Sequence, residues 1–261
     1  MHNSATAESK SASPPSSATR LDVIGVGIKL GGHLTLDAVS VLRKADRVIT
    51  VMDEPVNVWF PTAYAGASFE VHSLADCFHR DRRRMENYAE AAAEVIRLSL
   101  RGGRTVFACH GSALVYNSVT MLVRKKAQEA RLPFKIHCGI SCIEAILSFL
   151  DLDAAPAFTV LAAQWMFQNR AVPDAAYPLL IVQVAGFTTD RIPDLSRLDG
   201  HSLTGLREFL CEFYPTKHPV VFVRAPESEL DPGYRRECAL EHMCDGPTED
   251  LAGTCIYLRA V

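Results

Sequence analysis

Several absences narrow what this 261-residue sequence can do. It has no Cys-x-x-Cys pair: its eight cysteines stand singly at 77, 109, 138, 142, 211, 238, 244 and 255. That spacing speaks against a zinc knuckle or a dithiol redox motif, and no metal site is expected. Scattered cysteines behave as small hydrophobes and fit a reducing, cytoplasmic compartment. No apolar run is long enough to span a bilayer, so no membrane segment is expected. The formal net charge is only −3 at pH 7, which leaves no bulk electrostatic footprint for nucleic acid or a membrane surface. A serine-hydrolase reading of Cys109-His110-Gly111-Ser112 fails because the Gly-x-Ser-x-Gly elbow is missing. No repeat of fixed period appears.

What is present is an ordinary globular composition, 48% hydrophobic and 22% charged. The length suits one large or two modest domains. Residues 1–19 are rich in Ser, Ala, Thr and Pro, cannot bury a core and are expected to be disordered. They contain no apolar h-region, so they are not a secretory signal. From 20 onward, short apolar runs alternate with helical patterns. Strands are expected at Asp22–Val26, Arg47–Met52, Ser68–His72, Thr105–Cys109 and Lys135–Cys138. Helices are expected at Thr35–Lys44, Met85–Leu100, Asn117–Ala130 and Ser141–Phe149. Such alternation predicts an α/β domain with a largely parallel sheet. Pro156 marks a boundary, giving a first α/β domain over 20–153 and a second, with fewer helices, over 154–261. The second should hold strands at Phe158–Ala162, Pro178–Val184, Pro219–Arg224 and Thr254–Leu258 and a helix at Leu203–Phe213.

The first strand runs into a glycine loop, DVIGVGIKLGGHLTLDA, ahead of a helix. A dinucleotide fingerprint needs a glycine where Leu30 stands, and no Gly-Lys-Ser/Thr follows for a P-loop. A phosphate is therefore not the obvious occupant. Two later turns belong with it: His110-Gly111-Ser112-Ala113-Leu114-Val115-Tyr116 and Cys138-Gly139-Ile140-Ser141. Ser141 with Glu144 three residues on also reads as a capping box. A basic run, Arg80, Arg82, Arg83 and Arg84, precedes the helix that carries Tyr88. Exposure is the default for such arginines, and packing for such a tyrosine.

Taken in order, the three glycine turns resemble those of the tetrapyrrole methylase superfamily of S-adenosylmethionine (SAM) methyltransferases. Thr35, Leu36 and Ala38 match its Leu-Thr-Leu-x-Ala ending to the opening loop. Within that superfamily, KADRVITVMDEP (44–55), RMENYAEAAAEVI (84–96), LLIVQVAG (179–186) and HPVVFV (218–223) are most similar to the borosin peptide α-N-methyltransferases. The likeness implies two α/β domains with SAM in the cleft between them, in a homodimer. It also implies cofactor contacts from Gly111, Ser112, Ala113, Val115, Tyr116 and Ser141, with Ala163, Gln164, Gln183, Ala185 and Gly186 on the adenine side. Gly27 and Phe78 would face the substrate.

A peptide amide nitrogen is a poor nucleophile. Methylating it requires loss of its proton and stabilisation of charge on the carbonyl oxygen. Borosin enzymes are expected to place an Arg and tyrosines there; Arg84 and Tyr88 match. Two positions depart: Phe78 and His110 stand where tyrosines would be. Phe78 can move no proton, whereas His110 could act as base or simply pack in the cleft wall. The substrate peptide would come in trans, as a separate precursor, along a groove including Trp59, Phe60, Tyr64 and Arg80 to Arg84. Alternatives are a small nitrogen heterocycle or a tetrapyrrole as acceptor, or a SAM- or peptide-binding module without turnover.

Overall fold

The structure, a computed structural model, describes residues 19–29, 31–51, 69–187, 189–193, 200–245, 251 and 253–261. Residues 1–18 and the groove candidates Trp59, Phe60 and Tyr64 lie outside the described residues.

The first half forms a five-stranded sheet. Its strands are β1 (Arg20–Gly25), β2 (Arg47–Thr50), β3 (Glu70–Ser73), β4 (Arg104–Cys109) and β5 (Phe134–Ile136), in the order β3-β2-β4-β1-β5. Every pairing is parallel. Continuous apolar runs suit this arrangement, because a parallel sheet is covered on both faces. Helices α2 (Arg84–Ser99) and α3 (Ser118–Glu129) cover one face, where Val95, Val123 and Ala127 meet Leu21, Val23 and Phe107. Helix α1 (Leu36–Leu42) covers the other, with Ala38 and Leu42 on Ile24, Val48 and Val106. Thr35 caps α1, its hydroxyl accepting from Ala38 N at 3.1 Å.

The second sheet contains β6 (Thr159–Ala162), β7 (Leu179–Val182), β8 (Pro219–Arg224), β9 (Tyr234–Ala239) and β10 (Cys255–Leu258), in the order β6-β7-β10-β8-β9. Only β6 and β7 run parallel; the other pairings are antiparallel. Helices α5 (Ala163–Gln168) and α6 (Thr204–Leu210) pack on one face, with Met166, Leu206 and Phe209 among Leu179, Phe222 and Ile256. The opposite face receives helix α4 (Cys142–Leu150): Ala145 and Ile146 pack on Leu180, Val182, Val221 and Tyr257. A helix that follows β5 in sequence thus completes the core of the second sheet. Among the described residues no helix is long and apolar enough to cross a membrane.

Strand β9 is the element that the sequence pattern hides. Tyr-Arg-Arg-Glu-Cys-Ala reads as polar, yet it pairs with β8 along its whole length at the sheet edge. Its half-buried Arg236 lays its guanidinium 4.2 Å from the centre of the Phe222 ring.

Candidate active site

The carboxyl ends of neighbouring β4, β1 and β5 all face one region, the usual place for a site in an open α/β sheet. There the three glycine turns touch. A β-carbon on Gly25 would lie 2.4 Å from the carbonyl oxygen of Gly111 and 3.0 Å from the Cα of Gly139. One on Gly139 would lie 2.6 Å from the Cα of Gly25. Gly27 and Gly111 exchange backbone hydrogen bonds at 3.0 and 2.9 Å, both at positive φ. The glycines of the opening loop are therefore there for backbone-to-backbone contact. They bring the turns after β1, β4 and β5 together as one floor.

Above that floor lies a cavity of about 240 Å³ between the two sheets. Its first wall is Ile28, His110, Gly111, Ser112, Val115 and Tyr116, and its second is Gln183, Val184 and Ala185 after β7. Ser141, Cys142 and Ile146 of the α4 start join them, with Arg224, Glu227, Gly253 and Cys255 opposite. The structure thus assembles most of the sequence-predicted cofactor residues: Gly111, Ser112, Val115, Tyr116, Ser141, Gln183 and Ala185, together with His110.

Others stand elsewhere. Ala113 and Ala163 are fully buried in the two cores. Gln164 and Gly186, expected on the adenine side, surround the Arg84 guanidinium instead. Arg84 Nη2 donates to Gln164 Oε1 at 2.5 Å and to Thr189 O at 2.8 Å, and reaches Gly186 O at 3.5 Å. Its backbone N–H donates to Asp190 O at 2.7 Å. Arg84 thereby fastens the start of α2 to the segment after β7. Tyr88, one turn on, packs against the first core and meets Phe78 edge-on, ring centres 6.2 Å apart. Arg84, Tyr88 and Phe78 do not line the cavity among the described residues, and Gly27 borders it through Gly111 and Ile28.

Ser141 does two jobs. Its hydroxyl accepts from Ile143 N at 3.1 Å, its own N–H donates to Glu144 Oε2 at 2.9 Å, and the residue borders the cavity. The expected capping box is present. Ser141→Ala should cost about 1 kcal/mol. A thermal melt should then fall by roughly 2–4 °C in a domain of this size.

His110 is accessible from the cavity side, yet enough protein surrounds it that desolvation pushes its pKa below the usual 6.5, against the opposing charge of Glu227. The ring is therefore neutral near pH 7 and able to accept a proton. Arg224 is bound at both nitrogens by Asp231, at 2.6 and 3.1 Å. That pairing holds the Asp231 carboxyl well below the usual range. The sequence reading missed Arg224, Glu227 and Cys255. The Ala-Pro-Glu-Ser turn directly after the apolar run of β8 was the available signal, since it marks another strand end facing the cleft.

A family model for tetrapyrrole (corrin/porphyrin) methylases matches residues 20–225. Among curated proteins, the chain is similar to a methyltransferase/type I borosin cyclic peptide precursor from Serendipita vermifera subsp. bescii. It is 29% identical over 61% of this chain and 39% of that protein. A type III counterpart from Anomoporia bombycina is 24% identical over 79% of this chain and 24% of that protein. The chain spans less than half the length of these curated relatives. Among solved structures, uroporphyrin-III C-methyltransferase from Thermus thermophilus, complexed with S-adenosylhomocysteine (SAH), superposes with a TM-score of 0.62 at 16% identity. That match covers 92% of both chains. A cobalt precorrin-4 methyltransferase superposes with a TM-score of 0.64 at 14% identity, over 95% of this chain and 98% of that one.

The cavity suits the cofactor of that family. Gly111 and Gly253 bare the backbone at positive φ, Ser112 and Ser141 offer buried hydroxyls, and Ile28, Val115, Ile146 and Val182 give apolar walls for a purine. Floor, walls and matched segments agree: the chain belongs to the tetrapyrrole (corrin/porphyrin) methylase family, whose chemistry is methyl transfer from SAM.

Proposed function

We propose that this chain methylates backbone amide nitrogens of a separate precursor peptide. The observation that carries the reading is its similarity, over 61–79% of its length, to proteins named as borosin methyltransferase precursors. His110 in the cavity wall supports it, and Arg84 and Tyr88 match in residue type. When bound, SAM supplies an electrophilic methyl group on a sulfonium. Ser112, Ser141 and the backbone at Gly111 and Gln183 would hold the cofactor. His110, neutral and facing the cavity, would take the amide proton. Arg84 would offset charge developing on the acceptor's carbonyl oxygen, with the Tyr88 hydroxyl one turn along the same helix face. The same proposal has the protein working as a homodimer, for which exposed Leu36, Met85, Leu114 and Trp165 are apolar material. Light scattering would give the assembly mass.

The test is mass spectrometry of candidate precursor peptides incubated with the purified chain and SAM. Mass increases in methyl steps, localised to backbone nitrogens by fragmentation, are expected. Methylation of a tetrapyrrole or a nitrogen heterocycle, with peptides untouched, would replace the acceptor. SAH binding with no turnover on any acceptor would leave a binding module.

Two expected outcomes refine the roles. The pH–rate profile should be flat near neutrality and fall only below pH 6.5, because the lowered pKa keeps His110 basic until then. Glu227→Gln should move that acid limb lower still, since it removes the charge that favours protonation. A limb unmoved by Glu227→Gln and retained in His110→Phe would assign it to another group. Tyr88→Phe keeps the packing on Phe78 and deletes only the hydroxyl. An unchanged kcat there would make Tyr88 structural.

A further inference from the structure

Glu227 is the only carboxylate among the described residues that line the cavity, and the cofactor contacts named above leave it out. It stands on the turn that follows β8. Asp231 organises that turn. Its carboxylate accepts from both terminal nitrogens of Arg224, at 2.6 and 3.1 Å, from Glu227 N at 2.8 Å and from Gly233 N at 3.0 Å. Glu229, on the same turn, pairs with Lys29 of the opening glycine loop at 2.6 Å. The turn is thus fixed from within and tied to the first domain. The Glu227 carboxylate lies beside Gly253, another lining residue: a β-carbon there would sit 3.4 Å from Glu227 Oε1.

Charge and hydrogen-bonding capacity both remain open at Glu227. The Arg224 charge is already matched by Asp231. Arg224 Nη1 lies 3.9 Å from Glu227 Oε1, too far for a hydrogen bond, and no described residue donates to that carboxylate. The side chain is half-exposed, so solvent serves it in the free protein. A ligand that fills the cavity displaces this solvent. It must bring N–H or O–H donors to the same place or leave a charge unpaired. From this geometry we infer that Glu227 is a recognition residue for the cofactor, its carboxylate accepting hydrogen bonds from donors on SAM or SAH. Two groups of the ligand have the required chemistry, the ribose diol and the α-ammonium. An acidic side chain takes ribose hydroxyls in dinucleotide folds, and a carboxylate pairs with an ammonium by charge. The inference rests on this cavity holding SAM or SAH, and not on the identity of the methyl acceptor.

The experiment is calorimetric titration of the whole purified chain and of Glu227→Gln with SAH and with 5′-methylthioadenosine. The second ligand keeps adenine and the ribose diol and lacks the amino-acid part. Glutamine preserves the size of the side chain and removes its charge. SAH affinity is expected to fall about 10–100-fold, the usual worth of hydrogen bonds to a charged group. An equal loss for 5′-methylthioadenosine assigns the diol as the donor, and a loss confined to SAH assigns the ammonium. SAH affinity within about twofold of wild type overturns the role of Glu227, since every 1.4 kcal/mol is tenfold. Glu229→Gln is the control: it unties the turn from Lys29 and keeps the Glu227 carboxylate. A loss as large in Glu229→Gln would trace the effect to the placement of the turn and also overturn the role of the carboxylate. SAH that fails to bind the wild-type chain overturns the cofactor reading itself, and this role with it, which a defect confined to Glu227→Gln does not.

Discussion

Arg84→Ala is expected to lower kcat by about 10²–10³-fold, the usual cost of deleting a group that stabilises developing negative charge. SAH affinity should fall far less. Arg84 is not a wall of the cavity among its described residues. It reaches across from the N-terminal turn of α2 to Gln164, to Thr189 O at 2.8 Å and towards Gly186 O. Gly186 directly follows Ala185, which does line the cavity. Gly186 itself is matched to this contact, since a β-carbon there would lie 2.6 Å from Arg84 Nη1. Removing the guanidinium therefore takes away a charge and leaves an amide and a carbonyl without their donor. Arg84→Lys is expected to recover little, because an ammonium is a point charge and cannot reproduce the planar fork. Calorimetry with SAH and steady-state kinetics on the same preparations separate the two effects. Equal losses in kcat and affinity would place Arg84 in cofactor binding, and a lysine variant at wild-type kcat would reduce its role to charge alone.

Gly25→Ala is expected to have the largest effect on stability and to abolish SAH binding. The added carbon would meet Gly111 O at 2.4 Å, Ser112 Cα at 2.9 Å and Gly139 Cα at 3.0 Å. All three are backbone atoms, none able to rotate away. Overpacking of this kind costs about 1–3 kcal/mol, and here relief means separating the turns that form the cavity floor. Gly32→Ala is the control. Its added carbon would meet only the Lys29 side chain, from 3.2 Å, which can swing aside. Denaturant midpoints for the two variants should differ accordingly. Equal midpoints, with SAH binding intact in both, would show that the floor adapts and that the contact between the turns is not required.

Much of the first half was legible because its signals are local. Apolar runs such as Arg104–Cys109 mark strands buried on both faces, and the stripe along Arg84–Ser99 marks a helix with one buried face. The Ser141 cap was legible for the same reason: donor and acceptor lie within three residues. The glycine turns could be recognised as belonging together only through a resemblance, since nothing in a glycine reports what lies opposite it. Strand β9 escaped because an edge strand can be half polar, and its Arg236 is partly covered by a ring on another strand.

The sequence by itself determined the alternating elements of the parallel sheet, the cap of α4, and the set of groups able to do proton chemistry. Tertiary structure alone decided which of those groups meet. It put Gln164 and Gly186 around Arg84 from 80 and 102 positions away, moved Ala113 and Ala163 into the cores, and set α4 on the second sheet. The physical reason is range. Periodicity and capping act over a few residues of one chain segment, whereas a cleft between two sheets is set by long-range packing, to which any apolar face of suitable shape can contribute.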